Sequence, residues 1–136
     1  MRILALDYGT KRVGVAISDE LEMIATPLGY LDAQPREKLL DQIAQLVAER
    51  GVGLVVVGMP RNMDGSYGPA AEQVREFVEM LEKRLSVPVK TWDERLTTAQ
   101  AEKLLLQADV SRKKRKKKVD HIAAAILLQS YLDSRV

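Results

Sequence analysis

Cysteine is absent from these 136 residues, and histidine occurs once, as His121. The first absence excludes disulfides and every thiolate-held zinc site, and the second excludes an imidazole cluster. A metal bound by this chain is therefore expected to be a hard cation held by oxygen, Mg²⁺ or Mn²⁺. Phe, Trp and Tyr number only six and are scattered, so a base-stacking platform for single strands is not expected. The longest apolar run, Ile122 to Leu128, is far too short to span a bilayer. No membrane partner is expected. The opening MRILALD has neither an apolar signal core nor a small-residue cleavage site, and the expected location is the cytoplasm.

What is present describes a soluble globular protein: 46% of residues are hydrophobic and 29% charged. The length suits one domain, expected over residues 1–136, with a core of ordinary size. The net charge of +2 conceals an asymmetry, because Arg112 to Lys118 reads RKKRKKK, seven of the 21 basic residues. The rest of the chain carries 14 basic against 19 acidic residues. A cationic segment on an acidic body suits a local grip on a polyanion, and the alternative is a solvated loop that binds nothing.

RILALD at Arg2 to Asp7 and VGVAIS at Val13 to Ser18 are β-branched-rich runs separated by a glycine-containing turn, which predicts two neighbouring strands. Met23 to Leu31 contains Pro27 and Gly29 and reads as an edge strand. Pro35 opens a helix whose apolar stripe is Leu39, Leu40, Ile43, Leu46 and Val47, with Gly51 and Gly53 closing it. Leu54 to Val57 is wholly apolar, as in a strand buried on both faces. A second helix begins at Pro69, a last strand covers Val87 to Trp92, and Thr97 with Gln100 form a capping box for a third helix. The basic run is read as a loop, followed by a final helix with Asp120 in its first turn. The order βββαβαβαα is an antiparallel meander followed by two right-handed crossovers. It predicts an α/β protein with a mixed five-stranded sheet and helices on both faces.

Ligands of open α/β sheets gather at the carboxyl ends of strands. Asp7 ends the first strand and is followed by Gly9, which permits a tight turn. Asp93-Glu94-Arg95 ends the last strand. Strand alternation lets only one of the two acids face a site, and the longer glutamate reaches farther. Asp120 lies a turn or less from Ala123 and Ala124, whose small side chains let the final helix approach the sheet. Asp7, Glu94 and Asp120 together form a candidate catalytic and metal-binding set. Two Mg²⁺ ions roughly 3.5–4 Å apart activate a water and stabilise the leaving oxygen of a phosphoryl displacement. Each acid alone has an ordinary reading as a helix cap or surface charge. Candidate nucleic-acid-binding residues are Lys11 and Arg12 in the turn after Asp7, Arg61 after Gly58-Met59-Pro60, and Arg95. To these the basic run adds Arg112, Lys113, Lys114, Arg115, Lys116 and Lys117. Surface ion pairing is the competing role for each cation, most of all for Lys11.

The segment DYGTKRVGVA at Asp7 to Ala16 resembles the opening motif of the YqgF/RuvX family. Val57 to Pro60, Asp93 to Thr98 and Val119 to Ala124 are similar to that family's other signatures, in order and spacing. The resemblance covers essentially the whole chain. It implies a ribonuclease-H-like fold and a bacterial cytoplasmic nuclease, acting in maturation of the 5′ end of pre-16S rRNA during ribosome biogenesis or as a Holliday junction resolvase on branched DNA. Two departures from the RuvC pattern stand out. The fourth strand ends in Gly-Met-Pro where a RuvC-type enzyme has glutamate, and Lys116 and Lys117 stand one turn before Asp120. A junction resolvase implies a two-fold dimer, whereas an RNA-processing enzyme can be a monomer. Two other readings compete: a non-catalytic RNA-binding ribosome-assembly factor, and an actin-like ATPase or sugar kinase. The ATPase reading shares the Asp-Tyr-Gly-Thr turn but requires a second domain that 136 residues do not supply.

Overall fold

The computed structural model describes residues 1–60, 66–93 and 112–135, and within 112–121 it describes the backbone alone. Five strands form one sheet: β1 (Arg2–Tyr8), β2 (Arg12–Ser18), β3 (Ala25–Asp32), β4 (Val52–Met59) and β5 (Val89–Asp93). Among the described residues the helices are α1 (Arg36–Arg50), α2 (Pro69–Arg84) and α3 (Arg112–Asp133). Strand order across the sheet is β3-β2-β1-β4-β5. The first three strands form the expected antiparallel meander, and β4 and β5 join β1 in parallel. The capping box at Thr97 and Gln100 lies outside the described residues.

Side-chain alternation divides the sheet's two faces between the helices. Leu4, Leu6, Val13, Val15, Val55, Val57 and Met59 pack beneath α1 and α2, with Phe77 and Ile43 fully buried at the centre. Ile3, Ala5, Ala16, Leu54 and Val56 face the other way and pack beneath α3, against Ala124, Leu127, Leu128 and Tyr131. At ~25 cal/mol per Å² of buried apolar surface, these two layers supply the main driving force for folding.

Several boundaries differ from the sequence reading for local reasons. Gly51 ends α1 alone, in the left-handed conformation at φ 64°, with its N–H donating to the Val47 carbonyl. Gly53 belongs to β4, which runs on through Gly58 and Met59 because its parallel pairing continues with β5. Pro35 occupies the cap position of α1 rather than its first turn. The basic run is helical: α3 starts at Arg112, and the expected loop over 112–118 is corrected. Lys and Arg are good helix formers, and neither Gly nor Pro interrupts the segment from 112 to 133. Among the described residues no helix is long and apolar enough to cross a membrane.

Candidate functional site

Asp7 is the next residue after Leu6 in β1, and Leu6 faces α1 and α2. Alternation turns Asp7 to the opposite side, the one that carries Ile3, Ala5 and α3. Its partner on β2 is Gly14, and Gly14 is in turn paired with Tyr30 on β3. The row Asp7–Gly14–Tyr30 thus has a carboxylate at one end, a phenol ring at the other and no side chain between. That gap is the floor of a cleft of about 230 Å³ lined by Asp7, Gly9, Thr10, Lys11, Arg12, Gly14 and Tyr30. Lys11 and Arg12 are exposed, while Asp7 and Tyr30 are partly buried. The Arg12 guanidinium carbon lies 4.6 Å from the centre of the Tyr30 ring, within cation–π range.

The turn that shapes this cleft is held by backbone. An added Cβ on Gly9 would lie 2.7 Å from the Arg12 carbonyl oxygen, so no larger residue fits without moving the turn. The Lys11 carbonyl accepts a 3.0 Å hydrogen bond from the Ala33 N–H, which ties the turn to the end of β3.

Asp120 is placed by α3. The helix ends at the amino end of β1: Arg135 pairs with Glu22, which also lies 3.8 Å from the N-terminal ammonium of Met1. The Gln129 carboxamide oxygen accepts from Ala25 N–H at 3.0 Å. Ala25 is paired with Ser18, whose hydroxyl accepts from Ile3 N–H at 2.8 Å and donates to the Asp19 carbonyl at 2.9 Å. Gln129 and Ile3 therefore sit at the same end of the sheet. From Gln129 back to Asp120 is ~13 Å of helix axis, and from Ile3 to Asp7 is ~13 Å of strand. The helix runs antiparallel to β1, and this rise brings position 120 toward the carboxyl end where Asp7 stands. Helical periodicity puts position 120 on the stripe of the buried Ala123, Ala124, Leu127, Leu128 and Tyr131. Asp120 is not in the first turn of the final helix, as the sequence reading had it, but about two turns inside it. Its alternative reading as a helix cap is thereby overturned.

Asp93 closes β5 in register with Met59, on the face of α1 and α2. Trp92, in register with Gly58, turns to the α3 face, where its indole N–H donates to the Ser130 hydroxyl at 3.3 Å and its ring meets Tyr131 edge-on. Asp93 is therefore directed away from the face that carries Asp7. Glu94, Arg95 and Arg61 lie outside the described residues, as do the side chains of Asp120 and of Arg112, Lys113, Lys114, Arg115, Lys116 and Lys117. Of the sequence-derived site residues, the structure brings together Asp7, Lys11 and Arg12. Among the described residues no group of three or more His, Cys, Asp or Glu is poised to hold a metal. The uncharged and acidic side chains that line the cleft, Asp7, Thr10 and Tyr30, carry oxygen as their only donor element, the kind that suits a hard divalent ion.

Two lining residues were not anticipated. Gly14 and Tyr30 enter the site through strand register, and that register depends on an irregularity between Val15 and Ala16 in the β2–β3 pairing. Composition carries no trace of such an irregularity, so the only available signal was a lone tyrosine in a predicted edge strand.

Residues 1–134 match the family model described as "RuvX: Holliday junction resolvase". A protein of Halothermothrix orenii named "Putative pre-16S rRNA nuclease" is 52% identical, covering 98% of this chain and 95% of that one. A relative of the same name from Desulforamulus reducens is 49% identical, covering 98% of each chain. Among solved structures, Thermus thermophilus RuvC superposes with a TM-score of 0.57 at 13% identity, over 99% of this chain and 96% of that one. At that identity the likeness is one of fold, the ribonuclease-H-like class that the family resemblance implies and with which the order of elements agrees.

Proposed function

The chain belongs to the RuvX family, and from that premise we propose that it is a divalent-metal-dependent nuclease of the cytoplasm. Its substrate in this reading is structured nucleic acid, foremost the 5′ end of pre-16S rRNA, the molecule for which the relatives at about half identity are named. The whole chain acts as a single ribonuclease-H-like domain, as a monomer or a homodimer.

The observation that carries the reading is the place of Asp7. A carboxylate at the carboxyl end of a central parallel strand faces an open, cation-rimmed cleft, on the side where α3 brings Asp120. Asp7, Glu94 and Asp120 are the proposed metal ligands, with Mg²⁺ or Mn²⁺ as the ion. Glu94 is preferred to Asp93 because Asp93 faces the opposite layer. A bound divalent ion would supply water activation and charge stabilisation at the phosphorus. The chain's own cations do the rest. Lys11 and Arg12 line the cleft and are exposed to take phosphate oxygens, and Arg61 and Arg95, which follow β4 and β5 by two residues in the sequence, are proposed to add to the grip. The basic residues Arg112 to Lys117 extend the grip along the N-terminal half of α3. Cleavage of a four-way DNA junction is the second reading, favoured by the RuvC-like fold and the description of the family.

The test is a choice of substrate. Purified protein with Mg²⁺ or Mn²⁺ is offered a 5′-extended pre-16S rRNA fragment and a four-way DNA junction. The expected result is cleavage of the rRNA extension that is lost on chelation. Cleavage undiminished in excess EDTA would overturn the metal-dependent reading, since neither a cysteine nor a histidine cluster exists to replace the metal.

A further inference from the structure

Tyr30 stands on edge strand β3, two strands from Asp7, and nothing in the cleavage chemistry calls for a phenol there. Its position is nonetheless specific. Gly14 separates it from Asp7 in the paired row, so ring and carboxylate form opposite walls across two strand spacings, ~9–10 Å. Arg12 lies two residues from Gly14 on β2 and shares its face, with its guanidinium 4.6 Å from the ring centre. An exposed arginine at a turn ordinarily samples many rotamers, and ordering it costs side-chain entropy. A ring against the guanidinium face restricts that freedom, and a guanidinium carries five N–H donors in its plane, more than a single acceptor takes up.

From this arrangement we infer that Tyr30 is a positioning residue that fixes Arg12 as a clamp for a phosphate of the strand lying across Gly14. The inference rests on the nuclease reading only in taking the ligand of the cleft to be nucleic acid. In this clamp the ring acts by stacking on the guanidinium face. The class of ligand is a polyanionic backbone, because the face presents Arg12 and Lys11 together at an open rim rather than an enclosed base pocket.

The test measures binding, in an Asp7→Asn background so that no substrate is consumed. The probes are the 5′-extended pre-16S rRNA fragment and the four-way DNA junction, each titrated across a series of salt concentrations. Tyr30→Thr and Tyr30→Leu both remove the ring, and each is checked for an unchanged melting midpoint. Each should weaken binding about two- to fivefold and flatten the slope of log affinity against log salt by about 0.7–0.9, the share of one phosphate contact. Tyr30→Phe should restore both values. Arg12→Gln should lower the slope by the same amount, and adding Tyr30→Leu to it should change nothing further, because the ring acts only through the guanidinium. Additive losses in the double variant, or a Tyr30→Leu slope equal to that of the parent, would overturn the clamp and leave the nuclease reading standing. Absence of salt-dependent binding to either probe by the parent would overturn both.

Discussion

Gly9 is set by the backbone it passes: the 2.7 Å approach of the Arg12 carbonyl to a hypothetical Cβ means that even alanine must push the turn outward. Gly9→Ala is expected to destabilise the protein by about 1–3 kcal/mol, the usual cost of forcing a methyl group into occupied space. Urea unfolding measures this. Cleavage by the variant should fall by more than the loss of folded protein explains, because the same turn carries Lys11 and Arg12. Across the sheet, Asp19 shows a carboxylate with a structural task. Its Oδ1 accepts from Ile24 N–H at 2.9 Å and Met23 N–H at 2.8 Å, and those bonds hold its pKa below the ordinary 3.8. A carboxyl group with a lowered folded pKa contributes stability above its unfolded pKa and loses it as pH falls through the folded value. The β2–β3 turn should therefore be held at neutral pH and loosen only on the acid side of 3.8. Amide exchange at Met23 and Ile24, followed against pH and compared with Asp19→Asn, checks this. A turn equally protected in the variant would remove the role. At this scale the sequence was partly legible. Gly9 stood out because it follows an acid at a strand end, whereas Tyr30 and Gly14 became neighbours of Asp7 only through strand register.

At the scale of elements, α3 departs most from expectation. Charge density pointed to a loop at Arg112 to Lys118, but helix propensity and an uninterrupted segment outweigh repulsion between like charges, and the run is helical. Consecutive residues on a helix point in all directions, so the run cannot turn all its charge to one backbone, and about three or four contacts are expected. Replacing Lys113, Lys114, Lys116 and Lys117 with Gln should flatten the salt dependence of binding by about 2–4 units, for rRNA and junction alike. Helix content by circular dichroism should hold, because glutamine is nearly as good a helix former as lysine. An unchanged slope would return the grip to Lys11, Arg12 and Arg61. The strands were easier to read, since alternation and β-branching mark them directly. Their ends were less legible: β4 begins at Val52, with Gly53 at the irregularity where Val52 and Leu54 pair with the consecutive Arg2 and Ile3, and it runs on through Gly58 and Met59 because β5 keeps pairing with it.

Seen as a whole, the molecule separates support from chemistry. Among the described residues the layer under α1 and α2 holds the larger part of the core, while the layer under α3 opens at the carboxyl end of β1 into the cleft at Asp7. The order of elements and the mixed five-stranded sheet were legible in the sequence because each element carries its own periodicity. The candidate site was legible only as a set of acids near strand ends. Which way Asp7 and Asp93 face is a property of strand register, which separates the two, and the run of α3 against β1 carries position 120 toward the end of the sheet where Asp7 stands. The central claim is that Asp7, Glu94 and Asp120 act as one metal-holding unit. Its most direct measurement is the single-turnover rate of cleavage of the 5′-extended pre-16S rRNA fragment, in Mg²⁺ or Mn²⁺, by Asp7→Asn, Glu94→Gln, Asp120→Asn and Asp93→Asn. Each substitution removes a charge and keeps the shape. The account predicts that the first three each lose on the order of a thousandfold or more, the rate equivalent of several kcal/mol of metal-derived stabilisation. Binding should be largely kept, and Asp93→Asn should stay close to the parent. Near-normal turnover in two of the three would contradict it.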